Sequence, residues 1–303
     1  MATAFRPIPD CLPRDREDTP SLGPGELPDG FHAVSLAGHG TFSEIWQVRD
    51  CRSQTLYALK RLRAEWRDDA TARRLLANEA RAASAVNSRH VVRIIRSQAE
   101  SERCCLLFEW LDGITLEQRL AREGALPVGT AVWIARQCAQ GLADLAQAGY
   151  AHGDVKPSNI ILTQGGDAKL VDLGFARSIV GRREGASTRL FTGTAEYMAP
   201  EALLPQASSP ITKDVYSLGI SLFRMVTGCL PFVGDTTTVT LRLQRTARPP
   251  QLRRKCPSAP RELAVLVDRM LAKQPIRRPA SLTELVRSLI NVELTFFPQR
   301  LAG

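Results

Sequence analysis

The sequence predicts an α+β fold with two lobes, a small β-rich lobe with one helix and a larger lobe that is mainly helical. Three observations support this prediction. The chain has 303 residues, which exceeds the usual size of one hydrophobic core. Short segments with β character dominate as far as Asp112 and Gly113. Beyond this point, apolar residues recur mainly with a helical period.

The predicted elements follow one another in a simple order. The small lobe has strand candidates over 31–36, 45–49, 56–62, 91–97 and 104–109, with a helix over 68–86. The large lobe has helical patterns over 127–148, 214–227, 260–272 and 281–291. We therefore expect one domain over 31–290, with the small lobe at 31–108, a hinge at 109–113 and the large lobe at 114–290.

The two ends of the chain are expected to lie outside this domain. Residues 1–30 contain six prolines and little apolar periodicity, which predicts a disordered, proline-rich leader. Residues 291–303 are expected to form a C-terminal tail. The leader carries six acidic and three basic side chains, so the rest of the chain is more basic than the overall net charge of +9. A basic body favours anionic ligands or acidic partners.

The densest basic segment lies at 242–255. It contains no acidic residue, and no aromatic residue on which a nucleobase could stack. We therefore expect no nucleic-acid partner and interpret the segment as a solvated face or a protein docking surface. A docking partner for this segment or for the acidic leader stays open, with an inert tail as the alternative for the leader.

Membrane and secretory segments are not predicted. No run approaches 18 uninterrupted apolar residues, and the start of the chain lacks the apolar stretch of a signal peptide. The seven cysteines are scattered and include no CxxC pair, which argues against a disulfide framework and a zinc site. We therefore expect a cytoplasmic protein whose cysteines are reduced and buried.

Two short segments carry side chains suited to phosphoryl transfer. Asp154, Lys156 and Asn159 lie close together in sequence, and Asp172 follows in Asp-Leu-Gly. Phosphoryl transfer asks little covalent chemistry of the protein and depends on positioning a hydroxyl and neutralising phosphate charge. Carboxylate, ammonium and amide groups are suited to these tasks.

The small lobe supplies further candidates. Gly38 and Gly40 lie between two strand candidates, where backbone amides can approach phosphate oxygens, although an ordinary turn is the alternative. Lys60 ends the next strand and is a candidate for the nucleotide phosphates, or else an edge lysine that faces water. Glu79 shares a helix face with the apolar Leu76, so it is predicted to point inward and pair with Lys60 unless it reaches solvent at the border.

Taken together, these residues resemble the signature motifs of the protein kinases, over roughly 31–290. The resemblance implies a protein-kinase-like fold that uses ATP with Mg²⁺ or Mn²⁺. In the catalytic loop, Asp154 would orient the acceptor hydroxyl and accept its proton, while Lys156 would steady the γ-phosphate. Asn159 and Asp172 would bind the metal ions. The residues implied to bind ATP are Gly38, His39, Gly40, Ser43, Ile45, Lys60, Glu79, Glu109 and Leu111, the last two through hinge backbone groups.

The same resemblance extends to the substrate side. Thr192, Thr194 and Glu201 fall in the implied activation and substrate segment. Asp214 would head the following helix, and Arg278 would pair with Glu201 as a structural contact. Lys156 and Thr194 are similar to the serine/threonine branch, and the compact segment resembles bacterial members. The implied partners are protein substrates, with autophosphorylation.

Three positions depart from the pattern of the family. Ser43 replaces the third glycine, and Leu173 replaces a phenylalanine in the metal-binding turn. Gly153 replaces the arginine that in many relatives binds a phosphorylated activation-segment residue. We therefore hypothesise that activity does not require phosphorylation of this segment, although Ser187, Thr188 and Thr192 are available.

Two alternatives stay in view. The catalytic loop also resembles that of small-molecule phosphotransferases such as aminoglycoside and choline kinases, but Ala199-Pro200-Glu201 and Arg278 suggest a platform for a peptide. A catalytically silent pseudokinase scaffold is the other alternative. Such a scaffold would normally lack one of Lys60, Asp154, Asn159 and Asp172, and all four are present.

Overall fold

The computed structural model describes residues 22, 27–101, 103–179, 195–203 and 209–296. Its small lobe contains a five-stranded antiparallel sheet in the order β1-β2-β3-β5-β4, together with helix α1. The elements of this lobe are β1 (Phe31–His39), β2 (Ser43–Asp50), β3 (Leu56–Leu62), α1 (Ala70–Ala85), β4 (Ile94–Gln98) and β5 (Cys105–Glu109). The predicted strands and helix are therefore present, with ends that differ by a few residues.

The large lobe is mainly helical. Its helices are α2 (Leu116–Glu123), α3 (Val128–Gln147), α4 (Pro210–Thr227), α5 (Thr237–Thr246), α6 (Leu252–Lys255), α7 (Arg261–Met270) and α8 (Leu282–Leu294). Its short strands are β6 (Gly113–Thr115), β7 (Tyr150–Ala151), β8 (Ile160–Thr163), β9 (Ala168–Leu170) and β10 (Arg177–Ser178). Helix α3 packs against α4, α8 and β9, so it lies at the centre of the lobe and supports the strands that flank the catalytic loop.

Helix α1 positions one charged residue against the sheet. Asp69 caps its start by accepting a hydrogen bond from the backbone N–H of Ala72 at 2.7 Å. The buried face of the helix combines small and apolar residues with Glu79, which is 2% exposed. The inward orientation predicted for Glu79 from the helical period is therefore confirmed.

The structure departs from the sequence-based elements at several points. Helix α4 begins at Pro210, so Asp214 lies one turn inside the helix and the prediction that it heads the helix is wrong. The proline at the first helical position, which lacks an N–H, explains the earlier start. The sequence analysis does not predict helices α2, α5 and α6, although Thr115 and Thr236 cap the starts of α2 and α5. Helix α8 continues to Leu294, past residue 290 where the sequence analysis ends the domain.

The described residues of the leader lie against the small lobe. Leu22 and Leu27 pack on an apolar cluster on the sheet that includes Trp46, Leu59 and Leu107. The remaining residues of the predicted disordered leader, and residues 297–303 of the predicted tail, lie outside the described part of the chain. None of the described helices combines the length and the apolar character that a bilayer span requires.

The described cysteines are free thiols. Cys104, Cys105 and Cys138 are buried, as predicted, but Cys51 and Cys229 are exposed. Burial raises the pKa of the Cys138 thiol to about 12, so this residue acts as a small apolar side chain.

Candidate active site

Lys60 lies in the middle of the small-lobe sheet. Strand β3 pairs on both sides, and Lys60 is opposite Ile45 on β2 and Leu106 on β5. The alternative of a water-facing edge lysine is therefore wrong. The Nζ atom of Lys60 donates to Oε2 of Glu79 at 2.6 Å and to Oδ1 of Asp172 at 2.8 Å. One lysine thus joins the sheet, helix α1 and the large lobe.

The charges of this cluster support one another. Burial lowers the pKa of Lys60, but the carboxylates of Asp172 and Glu79 outweigh burial and raise it above its ordinary value. Burial raises the pKa of Glu79 to about 6, despite the opposing effect of Lys60. Burial also raises the pKa of Asp172, but Lys60 outweighs it and the pKa lies below the ordinary value. At neutral pH the cluster therefore contains one cation and two carboxylates.

The catalytic-loop candidates converge on Asp154. Its Oδ2 accepts from Nζ of Lys156 at 2.8 Å and from Nδ2 of Asn159 at 2.9 Å. Asn159 also donates to the backbone oxygen of Asp154 at 2.9 Å. The Asp154 side chain remains 14% exposed and that of Lys156 16%. The carboxylate is thus oriented on one side by its neighbours and accessible on the other.

Asp214 binds the backbone at the start of the catalytic loop. Its two carboxylate oxygens accept the backbone N–H groups of His152 at 2.7 Å and Gly153 at 2.9 Å. Burial raises the pKa of Asp214 above its ordinary value. A buried carboxylate that accepts two backbone donors fixes the local backbone path. Asp214 is therefore well placed for a structural role inside α4.

Gly153 also brings the loop against the turn that follows Asp172. Its φ is +83°, a conformation that favours glycine, and a Cβ here would overlap the carbonyl oxygen of Phe175. The nearby Asp172 is itself left-handed, with φ of +63°. An arginine at residue 153 would therefore meet both backbone strain and a steric clash.

Asn159 and Asp172 offer oxygen ligands at neighbouring points. The N–H of Val171 donates to the backbone oxygen of Asn159 at 3.0 Å, which brings the two segments together. The Asp172 side chain is 40% exposed and therefore accessible to a ligand. Mg²⁺ favours such hard oxygen atoms and commonly takes its other ligands from water and substrate phosphates. The described part of the chain contains no group of three or more His, Cys, Asp or Glu side chains suited to a metal.

The glycine-rich hairpin lies next to Lys60. Gly38 pairs with Ile45, and His39 pairs with Glu44 across β1 and β2. The N–H of Gly40 donates to the backbone oxygen of Ser43 at 2.7 Å, which closes the hairpin. Because Ile45 is opposite Lys60, the hairpin and the lysine occupy the same end of the sheet.

The hinge candidates lie between the lobes. Glu109 ends β5, and its carboxylate accepts from Nζ of Lys169 at 2.6 Å and from the N–H of Arg93 at 2.9 Å. The Glu109 carboxylate is therefore paired and not free. Leu111 is half-buried in the short connection that follows, before β6.

The predicted pair between Arg278 and Glu201 is present in the large lobe. Two guanidinium nitrogens of Arg278 donate to the two carboxylate oxygens of Glu201, at 2.6 and 2.8 Å. The predicted segment residues Thr192 and Thr194, and the candidate phosphorylation sites Ser187 and Thr188, lie outside the described residues.

Sequence reasoning missed two groups of contacts. Asn78 on α1 donates to backbone oxygens of Gly174 and Ala176, and Arg224 on α4 binds Glu117 and Tyr197. The second group lines a cavity of about 500 Å³ that also contacts Lys156 and Ser158 of the catalytic loop.

Comparison with known proteins identifies the family. A model of the protein kinase domain matches residues 31–289. A Corynebacterium efficiens protein named serine/threonine-protein kinases drp72 is 34% identical over 264 residues, which cover 86% of this chain and 50% of that protein. Serine/threonine-protein kinase PknA of Corynebacterium glutamicum is 31% identical, over 86% of this chain and 55% of the relative.

A third relative gives the same result. Serine/threonine-protein kinase PknB of Mycobacterium leprae is 32% identical over 276 residues, which cover 89% of this chain and 44% of that protein. The chain thus spans about half the length of the curated relatives that it matches. The span matched by the family model, 31–289, contains the small lobe, the large lobe up to the middle of α8, and every candidate site residue described above. The chain belongs to the protein kinase family, with the bacterial serine/threonine kinases among its relatives.

Proposed function

We propose that this protein transfers the γ-phosphoryl group of ATP to serine and threonine hydroxyls of protein substrates, including sites on itself. The observation that carries the proposal is the double contact of Lys60 with Glu79 and Asp172. It joins the small lobe to the metal-binding turn beside Asp154. Membership of the protein kinase family supports the same reaction.

The proposed roles follow from the chemistry of each group. The carboxylate of Asp154 orients the acceptor hydroxyl and takes its proton as the new P–O bond forms. Lys156, which pairs with Asp154 at 2.8 Å in the structure, would steady the γ-phosphate when ATP is bound. Lys60 binds the α- and β-phosphates, while Gly38 and Gly40 let backbone amides approach the nucleotide.

The remaining nucleotide contacts complete the proposed ATP site. His39, Ser43 and Ile45 flank the nucleotide from the hairpin, and backbone groups of Glu109 and Leu111 bind adenine. Asn159 and Asp172 hold Mg²⁺ or Mn²⁺, for which their oxygen atoms are suitable ligands. When bound, the metal neutralises charge on the phosphates.

A protein acceptor is favoured over a small molecule by the groove beside the catalytic loop. The cavity of about 500 Å³ continues from Lys156 and Ser158 to Tyr197, near the Ala-Pro-Glu segment. A cavity that extends from two residues of the catalytic loop toward this segment suits an extended peptide. Thr192 and Thr194, which lie outside the described residues, are proposed to belong to the same substrate segment.

Location and docking form a further part of the proposal. A cytoplasmic location agrees with the use of ATP and with the free cysteines of the described residues. The basic side chains of segment 242–255 are exposed, so we propose that it docks an acidic protein segment. Reversal of the charges at Arg253 and Arg254 should weaken this docking, measured by binding of an acidic peptide at low and high salt.

The proposed reaction is tested by comparing the wild type with Asp154→Asn. Both proteins are incubated with labelled ATP and Mg²⁺ and with protein and small-molecule acceptors in parallel. We expect label on protein acceptors, and a loss of about 10²- to 10⁴-fold in the variant because the positioned base is removed. ATP binding should be retained.

Asp235→Asn, at an exposed loop residue, is the matched control and should behave like the wild type. Transfer to small molecules alone would support the alternative phosphotransferase. Binding of ATP without any transfer would support the pseudokinase scaffold. Undiminished turnover in Asp154→Asn would contradict the role assigned to this carboxylate.

A further inference from the structure

Four charged residues line the cavity beside the catalytic loop. It has a volume of about 500 Å³, and its charged lining residues are Glu117, Lys156, Glu196 and Arg224. Both cations are already paired. Lys156 contacts Asp154 at 2.8 Å, and Arg224 contacts Glu117.

The ion pair between Arg224 and Glu117 is bidentate. Nη1 and Nη2 of Arg224 donate to the two carboxylate oxygens of Glu117, at 2.7 and 2.6 Å. Nη1 also donates to the hydroxyl of Tyr197 at 2.6 Å. A bidentate pair of this kind resists exchange because both oxygens and two nitrogens are held in fixed geometry. An anionic ligand would have to displace Glu117 to reach the guanidinium group.

Glu196 has no such partner. Among the described residues, no ion pair or hydrogen bond reaches its carboxylate, although the residue lines the same cavity and is half-buried. Since Lys156 is paired with Asp154 and Arg224 with Glu117, Glu196 is the lining carboxylate without an ion pair to the described residues. Its apolar wall includes Leu230, against which the methylene stem of a long cationic side chain can pack.

We propose that this cavity binds a lysine or arginine side chain of the protein substrate, with Glu196 as the residue that selects it. The proposal rests on the proposed kinase activity and names the class of substrate that the site prefers. Arg224 has the complementary task of neutralising Glu117, so that selection depends on Glu196.

Peptides with one central serine test this selection. Lysine, glutamine or glutamate is placed in turn at each flanking position, and kcat/KM is measured for the wild type, Glu196→Gln and Glu196→Lys. At one position, the wild type should prefer lysine over glutamine by about 5-fold, which corresponds to ~1 kcal/mol for a partly exposed ion pair. Glu196→Gln should reduce this ratio to about 1, and Glu196→Lys should favour glutamate.

Glu262→Gln, at an exposed residue of α7, is the matched control and should keep the wild-type ratio. Phosphorylation of all peptides without a preference, or with a preference for glutamate in the wild type, would overturn this assignment while leaving the kinase activity intact. Absence of phosphate transfer to any peptide or protein would instead contradict the proposed function.

A different observation concerns the metal-binding turn. Nδ2 of Asn78 donates to the backbone oxygens of Gly174 at 3.0 Å and Ala176 at 2.7 Å. Both N–H groups of the side-chain amide are therefore used. Asn78 precedes Glu79 on α1, so one helical segment contacts Lys60 and the turn that follows Asp172.

The turn is held from two sides. A short 3₁₀ turn over Leu173–Phe175 follows Asp172, with Asn78 on one side and the backbone of Gly153 on the other. None of these contacts requires a charged group from the activation segment. The turn is thus held by an uncharged side-chain amide and by backbone packing, in a chain that has glycine and not arginine at residue 153.

We propose that Asn78 is a positioning residue that keeps Asp172 in its metal-binding orientation without a phosphorylated activation segment. This inference also rests on the proposed kinase activity. It gives a structural cause for the independence from phosphorylation that Gly153 suggests.

Asn78→Asp removes both donors and leaves the shape of the side chain almost unchanged. In phosphatase-treated protein, we expect the apparent Kd for Mg²⁺ in the presence of a non-hydrolysable ATP analogue to rise about 10- to 100-fold, as for residues that orient metal ligands. The KM for Mg²⁺·ATP should rise with it. Hydrogen exchange of the segment 171–179 should become faster.

Asn87→Asp, at an exposed residue after α1, is the control and should leave these three measurements unchanged. Unaltered metal affinity and exchange in Asn78→Asp would overturn the inference, as would a wild type that binds metal and nucleotide in this way only after phosphorylation. If the wild type binds no ATP analogue in either state, the proposed function itself fails.

Discussion

Lys60 and Arg278 are both cations paired with carboxylates, but Lys60 is half-buried and Arg278 is buried. Arg278 is fully buried, and Nε donates to Ala272 at 3.0 Å while Nη1 also donates to Thr212 at 2.7 Å. Its partner Glu201 has a side chain that is 7% exposed. The guanidinium group of Arg278 lies over the ring of Tyr216, with Cζ 4.8 Å from the ring centroid. Every part of this pair is enclosed by protein.

The cluster around Lys60 is open on one side. It has two carboxylates for one ammonium group, and the Asp172 side chain is 40% exposed. A closed pair can only stabilise the fold, because it has no free direction for a ligand. An open cluster with surplus negative charge can bind a metal and exchange its contacts with phosphates. The pair of Arg278 with Glu201 is therefore enclosed, while the Lys60 cluster keeps one side accessible to a ligand.

The largest expected effect is on the open cluster. Asp172→Asn removes a charged metal ligand and should lower kcat/KM with Mg²⁺·ATP by about 10³-fold, since a metal contributes several kcal/mol to such reactions. The melting temperature should change little because Lys60 keeps Glu79. Steady-state kinetics and thermal unfolding check this prediction. Substantial unfolding with retained turnover per folded molecule would show that the cluster is structural.

Arg278→Ala should lower the stability of the fold, which Asp172→Asn should leave almost unchanged. It leaves Glu201 buried without a partner, and the free energy of unfolding should fall by about 3–5 kcal/mol. Urea denaturation measures the change. The control is Arg269→Ala, because Arg269 and Glu284 form a pair whose side chains are 42% and 36% exposed. It should cost about 0–1 kcal/mol, and equal losses in the two variants would remove the distinction between enclosed and exposed pairs.

Gly153→Ala tests whether close backbone packing maintains the open cluster. A Cβ at this residue combines an unfavourable positive φ with overlap at the carbonyl of Phe175, so unfolding should become easier by about 1–3 kcal/mol. Metal affinity should also fall, because the turn that bears Asp172 is displaced. Gly165→Ala is the control, since its Cβ would contact Thr163 at an ordinary 3.8 Å. Equal stability of both variants would contradict the packing argument.

The smallest expected effect is a pH dependence of ATP binding. Glu79 has a raised pKa of about 6, so it takes up a proton as the pH falls through this value and its attraction for Lys60 is lost. The KM for ATP should therefore rise below about pH 6, by no more than tenfold per pH unit. In Glu79→Gln, the KM should be high throughout and this inflection should be absent. A persistent inflection would assign the titration to another group.

Local sequence patterns carried much of the prediction. The helical period predicts an inward Glu79 and the strand pattern includes Lys60, so the sequence predicts that the two residues pair, and the structure has them 2.6 Å apart. The pair of Arg278 with Glu201 was expected from family resemblance and is also present. The start of α4 was predicted too late, because Pro210 reads as a helix stop as easily as a first helical residue.

The sequence by itself determined which groups are available for phosphoryl transfer and their order along the chain, because composition, period and spacing are local properties. Only the tertiary structure decided how they combine. The contact of Lys60 with Asp172 joins residues 112 positions apart, and that of Asn78 with Gly174 joins residues 96 apart. No local pattern encodes such contacts, since they arise when the two lobes pack. From the sequence, Gly153 indicates only that the arginine of many relatives is missing. The packing shows in addition that a side chain does not fit at this residue.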